Sequence, residues 1–231
     1  MGRRMYLVEM DAHDFSRLRT EVLTQGYAVM KRYAPGARTH EVAVSIGTPI
    51  EPWPGAIVQR LVPRRASTPN TYSGIFGMGL FPFHTDLAHW PIPPRFLLLR
   101  CLKGYPEIPT LLFDGMIATA TIGADTLSRA VVTSRRPVAG EMRLLRILDR
   151  REGKIAIRWD EVFLKPASRI GKQVFDDMCA LIASQKPKPV ALIDDGDTAV
   201  IDNWRMLHAR PAVLSRHRGR HIERVYLEGI E

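Results

Sequence analysis

Residues 81–102 read FPFHTDLAHWPIPPRFLLLRCL. An aromatic, apolar run carries two histidines and an aspartate, turns at a cluster of prolines, and resumes as a hydrophobic segment of strand length. In extended backbone, residues i and i+2 project to the same face. His84 and Asp86 therefore aim an imidazole and a carboxylate into one space. They make two of the three ligands of a 2-His-1-carboxylate facial triad, a set that leaves coordination positions open for substrate and oxygen. A chain with seven histidines can contain such a pair by chance, so the rest of the sequence has to supply the partners.

Outward from this stretch, short apolar segments with turn punctuation recur. They are GAIVQRLV at 55–62, RFLLLRCL at 95–102, PTLLF at 109–113, MRLLRILD at 142–149, KIAIRW at 154–159, PVALID at 189–194, DTAVIDN at 197–203 and RHIERVYLEG at 220–229. Each has strand length. Two more strands are expected nearer the start, at 6–9 and in YAVMK. RREGK has the composition of a hairpin turn. Helical spacing of apolar residues predicts a helix over 12–24, with Phe15, Leu18 and Val22 on one face and Gly26 ending it. Further helices are expected near 115–130 and over 169–184, the latter packing Ile170, Val174, Phe175, Met178, Leu181 and Ile182 on a sheet. Many short strands with a few flanking helices point to a mainly β chain, a sandwich or a jelly-roll barrel with helical support. Strand and helix do not alternate regularly, which argues against a parallel α/β fold. GIFGMGLFPF lacks G-x-G-x-x-G spacing and opens no long helix, so it reads as a flexible loop and not a phosphate cradle.

The chain has 231 residues, fits one domain over 1–231, and is 45% hydrophobic and 25% charged, an ordinary globular balance. MGRRMYLVEM has a positive start but no sustained apolar stretch, so neither a signal peptide nor a membrane span is expected. Two cysteines, Cys101 and Cys179, make no disulfide framework, and both read as small buried thiols in a reducing cytoplasm. The net charge of +9 asks for an anionic partner. The basic block RHRGRHIER reads as solvated surface, and no nucleic-acid motif accompanies it, so the expected partner is a small molecule.

A third metal ligand must come from a distant strand, and the candidates are His89, His208, His217 and His221. His208 is the strongest, because it follows the apolar strand of GDTAVIDNWRMLHARP, where a strand end can present a side chain at a barrel mouth. His89 lies only five residues after His84 and reads as a pocket residue. Arg220 and Arg224 have even spacing and share a strand face with Ile222 between them. Arginines facing a barrel interior need anionic partners, and a dicarboxylate would meet that need through forked, charge-assisted hydrogen bonds. The alternative is that both reach solvent or pair with Glu223 and nearby acids.

The order His-x-Asp, then Thr110, then a distal histidine and two arginines, resembles the taurine dioxygenase and clavaminate synthase-like family of Fe(II)- and 2-oxoglutarate-dependent oxygenases. FHTDLAHWPIPPRFLLLRCL, PTLLFDG, GDTAVIDNWRMLHARP and RHIERVYL carry the resemblance, in family order and at family spacing across residues 81 to 228. It implies a double-stranded β-helix (cupin-like) fold, with His84, Asp86 and His208 ligating Fe(II). It also implies Arg220 holding the far carboxylate of 2-oxoglutarate with help from the Thr110 hydroxyl, and Arg224 near the other end of the co-substrate or the primary substrate. The activity implied is hydroxylation with O2, releasing succinate and CO2.

The charge balance, Arg224 and the arginines at 64–65 favour a small polar substrate, amino-acid-like or anionic. Asn70, Tyr72, Phe76, His89 and Trp90 are candidate wall residues. The segment 121–165 matches nothing in the family, and the chain is shorter than many relatives. A substrate-covering insertion is expected to be missing or reduced, and a neighbouring subunit of a homo-oligomer is one way to replace it. Two rival readings are a non-catalytic β-barrel that holds metal without turnover and a zinc hydrolase using His84, Asp86 and His89. The hydrolase lacks the denser histidine spacing of H-E-x-x-H and leaves Arg220 and Thr110 without a role.

Overall fold

The computed structural model describes residues 10–64, 69–138, 140–151 and 153–230, so the strand expected at 6–9 lies outside the described residues. Strands β1 (Tyr27–Met30), β2 (Gly47–Ile50), β3 (Gln59–Leu61), β4 (Phe81–His84), β5 (Phe96–Lys103) and β6 (Thr110–Asp114) occupy the first half. Strands β7 (Val131–Ser134), β8 (Leu144–Arg146), β9 (Leu148–Arg151), β10 (Lys154–Ile157) and β11 (Leu164–Pro166) follow. The chain closes with β12 (Lys188–Val190), β13 (Thr198–Asp202), β14 (Met206–Arg210) and β15 (His221–Ile230). All their pairings are antiparallel. One sheet runs β1-β13-β5-β15-β2 with β3 also on β15, and the other runs β12-β6-β14-β4.

Side-chain alternation decides what each face of the large sheet covers. Leu97, Leu99 and Cys101 of β5, with Ile222 and Tyr226 of β15, pack with Leu112 and Met206 of the smaller sheet. The intervening residues, Phe96, Leu98, Val225 and Leu227, pack on the opposite side with Leu18 and Val22 of helix α1 (Ala12–Gln25) and Val42 of α2 (Thr39–Val44). A slip of one residue would exchange the two sets. The outer side of the small sheet, through Phe113 and Leu207, joins a third cluster with Val174, Phe175, Met178 and Leu181 of α6 (Arg169–Ser184). Two facing antiparallel sheets with helices outside make the double-stranded β-helix, or jelly roll, that the strand pattern predicts.

Local chemistry sets the helix ends. Asp11 caps α1 by accepting a hydrogen bond from the Asp14 amide at 2.8 Å. Gly26 ends it at φ +84°, where its N–H reaches the Val22 carbonyl. The helical stretch after β6 comprises α4 (Gly115–Ala118), a π-wound turn at Thr119–Gly123 and α5 (Ala124–Arg129).

Several expectations are corrected. GAIVQRLV yields only Gln59–Leu61, because the Gln59 side chain donates back to the Ala56 carbonyl and turns the preceding residues. MRLLRILD divides at Ile147: β8 pairs with β7, β9 pairs with β10 across the RREGK hairpin, and buried Ile147 bridges the change of partner. PVALID is extended only at Lys188–Val190. Part of GIFGMGLFPF is helical, in α3 (Tyr72–Phe76), capped by the Thr71 hydroxyl. Cys179 is exposed on α6, whereas Cys101 is buried as expected. The basic block is not uniformly solvated, for His217 and Arg220 are buried within it.

Candidate metal centre

Register places the ligands. His84 ends β4 and lies directly opposite His208 of β14, with ring centroids 4.4 Å apart. Asp86 follows two residues on, just before Leu87, whose backbone turns through a left-handed φ of +54°. One ligand atom from each of His84, Asp86 and His208 lies within 4.8 Å of the others, and all three residues are buried. The Nε2 atoms of both histidines sit 3.7 Å from the Asp86 carboxylate, His84 against Oδ1 and His208 against Oδ2. His84 donates Nδ1–H to the Pro82 carbonyl at 2.8 Å, which frees Nε2 to ligate and fixes the ring.

The electrostatics fit a cation. Burial opposes the charge on Asp86, but Arg224 above all, with the two histidines, holds the carboxyl well below the usual carboxylate range. Burial also opposes protonation of His84, and the Asp86 carboxylate overrides it to raise this histidine. His208 goes the other way: burial, reinforced by His84 and Arg224, pushes it down to about 3, so it stands neutral. A metal ion between the three would satisfy the field that otherwise favours a proton on His84.

The loop that carries Asp86 is held by residues the sequence reading did not single out. Asn203 accepts the Asp86 amide at 2.7 Å and donates Nδ2–H to the Asp86 carbonyl at 3.0 Å and the Pro94 carbonyl at 2.9 Å. Trp204 donates its indole N–H to the Pro93 carbonyl. Arg158, pushed down to about 10 by burial, spreads its guanidinium over the carbonyls of Ala88, Trp90 and Pro91. NWRMLHARP was legible as a ligand segment, but nothing in its spacing marks Asn203 as the residue that grips the Asp86 peptide.

The three candidate ligands open onto a cavity of about 380 Å³, a size suited to small ligands. Thr110, Arg220, Ile222, Arg224 and Tyr226 are part of its lining, the last four being alternate residues facing inward from β15 and its entry. Arg220 is only 7% exposed, and no acceptor meets its guanidinium among the described residues; burial pushes it down to about 10. Arg224 is differently placed. Its Nη1 donates to Asp86 Oδ2 at 2.7 Å and its Nε to Gln59 Oε1 at 3.0 Å, Gln59 being its neighbour across the β3–β15 ladder.

Asn70, Tyr72 and His89 line the cavity as well. Phe76 does not; it packs against the rings of Tyr72 and Phe81. Trp90 faces a neighbouring hollow, with Trp53 edge-on at 6.3 Å. His89 stands on the wall near Phe163 and outside the ligand group, so the His84, Asp86 and His89 arrangement of a zinc hydrolase is not formed. Asp160 and Phe163, unmarked in the sequence reading, complete the wall.

No family model matches the chain, and no curated protein matches it. Solved structures do. An asparagine oxygenase in complex with Fe(II), 2S,3S-3-hydroxyasparagine and succinate superposes with a TM-score of 0.69 at 18% identity, over 93% of this chain and 78% of that one. The non-haem iron oxygenase OrfP with Fe and alpha-ketoglutaric acid gives a TM-score of 0.72 at 21% identity, over 94% and 80%. The PvcB protein from Pseudomonas aeruginosa gives 0.67 at 18% identity, over 98% and 83%. At these identities the likeness establishes a shared fold. Among the described residues no helix is long and apolar enough to cross a membrane.

Proposed function

We propose that this protein is an Fe(II)- and 2-oxoglutarate-dependent oxygenase of the taurine dioxygenase and clavaminate synthase-like kind. Its reaction would be hydroxylation of a small polar molecule, amino-acid-like or anionic. One observation carries the reading: two histidines and a carboxylate converge in a single cavity that also holds a buried arginine, Arg220, with no anion of its own. A facial set of ligands calls for a metal with open positions, and an uncompensated buried cation calls for a carboxylate. A dicarboxylate that chelates the metal answers both. The fold shared with iron oxygenases, whose structures contain hydroxyasparagine and succinate in one case and alpha-ketoglutaric acid in another, supports it.

Bound there, Fe(II) with 2-oxoglutarate and O2 supplies the oxidation of an unactivated C–H bond, with succinate and CO2 released. The chain's own contribution is orientation and shielding. His84, Asp86 and His208 would hold the metal. Arg220 and the Thr110 hydroxyl would hold the far carboxylate, with charge-assisted bonds setting its direction. Arg224, donating to Asp86 Oδ2, would keep Asp86 ionised and hold its carboxylate in place. The apolar residues Phe81, Leu87, Leu99 and Phe163 keep water from the reacting centre. Cys101 and Cys179 are unpaired, which supports a cytoplasmic setting.

The test is anaerobic addition of Fe(II) and then 2-oxoglutarate to the metal-free chain. The expected result is a weak visible charge-transfer band, followed on admission of O2 by succinate release even without primary substrate. A band without succinate would identify a silent metal-holding protein, and neither signal would remove the oxygenase reading.

A further inference from the structure

Three arginines, Arg210, Arg220 and Arg224, line the cavity together with two aspartates, Asp86 and Asp160. Asp160 is 2% exposed, and only its Oδ1 has an evident structural task, accepting the N–H groups of Val162 and Phe163 at 2.8 Å each. No cation among the described residues forms an ion pair with it. An asparagine would make that turn equally well, so the turn does not explain a buried negative charge.

Its position is fixed beside the metal centre. Asp160 forms an antiparallel bridge with His84, locked next door by the Thr85 amide on the Trp159 carbonyl at 2.8 Å and the Trp159 amide on the Thr85 hydroxyl at 3.1 Å. The Tyr72 ring stacks on the His84 imidazole, with centroids 4.1 Å apart at 21°, and Phe163 meets Tyr72 edge-on at 5.1 Å. The Tyr72 hydroxyl is buried beside the Asp160 carboxylate, to which it can donate. A carboxylate, a buried hydroxyl and aromatic faces thus meet at one place on the wall, where a cation would be welcome.

We propose that Asp160, with the Tyr72 hydroxyl beside it, is the recognition site for a positively charged side-chain group of the primary substrate, an ammonium or a guanidinium at the end of its side chain. Calling that molecule the substrate rests on the oxygenase reading; the binding of the cation does not. Held there, the charged group would lie on the His84 side of the cavity.

Matched probes that differ in charge at nearly constant shape test this. L-arginine is compared with L-citrulline and L-lysine with L-norleucine, by calorimetry on the full chain with and without Fe(II) and 2-oxoglutarate. At least one charged member is expected to bind about tenfold to a hundredfold more tightly than its neutral partner. Asp160→Asn, which keeps an oxygen for the Val162 and Phe163 amides, should bring that ratio close to one, and Tyr72→Phe should reduce it a few-fold. The proposal is overturned if the neutral members bind as well, if neither charged member binds at tens of millimolar, or if the ratio survives in Asp160→Asn. A charge preference that persists where no 2-oxoglutarate band forms would support the cation site and count against the oxygenase reading.

Discussion

The two walls of the cavity are built differently. His84, His208 and Arg224 stand on strands, and Arg220 stands at the entry to one, so sheet register sets which residues they face. Asn70, His89, Asp160 and Phe163 stand on connections between strands, and Tyr72 on a five-residue helix within one. Strand positions are suited to chemistry that tolerates little displacement. Connections tolerate change more readily and suit recognition. The difference predicts that substitutions on the first wall abolish metal or co-substrate binding, and that those on the second alter substrate preference.

The largest effect should come from His208→Ala. Removing a ligand from a three-ligand set is expected to eliminate the Fe(II)–2-oxoglutarate band and succinate release together; an unaltered band would show that the strand-borne wall is not the metal site. Next is Arg220→Ala, for which 2-oxoglutarate affinity should fall by about a hundredfold, the usual scale for losing one partner of a buried charge pair. Its metal-free form should be at least as stable as wild type, since an uncompensated buried charge is removed. Titration and thermal melting read the two halves of that prediction.

Asn203→Ala tests whether the Asp86 loop needs its clamp. Three hydrogen bonds disappear and the buried Asp86 amide loses its acceptor, so the chain should lose about 2 kcal/mol or more of stability and bind metal more weakly. A loss of stability with unchanged metal affinity would show that the strands alone position Asp86. The smallest effect belongs to Tyr72→Phe. The hydroxyl makes no close hydrogen bond beyond its approach to Asp160, so stability should change by less than about 0.5 kcal/mol, while KM for a charged substrate rises and that for 2-oxoglutarate does not. A rise in the 2-oxoglutarate KM would place Tyr72 with the first wall.

Much of the first wall was legible because period-two alternation projects directly into space. The i, i+2 spacing of His84 and Asp86, and the even spacing of Arg220, Ile222, Arg224 and Tyr226, each specify a face without knowledge of the rest of the chain. Partnership was less legible. The sequence gives Arg224 an anionic partner but not its identity, and it proves to be Asp86, reached across 138 residues. Phe76 and Trp90 had the right composition for a wall, yet local aromatic contacts turn them to other neighbours.

The sequence by itself determined the strand-rich pattern and the shared faces of His84 with Asp86 and of Arg220 with Arg224, since both depend on local periodicity; Thr110 and the choice of jelly roll came from the family resemblance. The tertiary structure alone decided that Asp160 lies beside His84, that Asn203 grips the Asp86 peptide, and that Arg220 is left without an anion. Those facts depend on which distant segments meet. Such meetings are set by sheet order and loop path, through hydrogen bonds between residues far apart in the chain, and no local pattern encodes them.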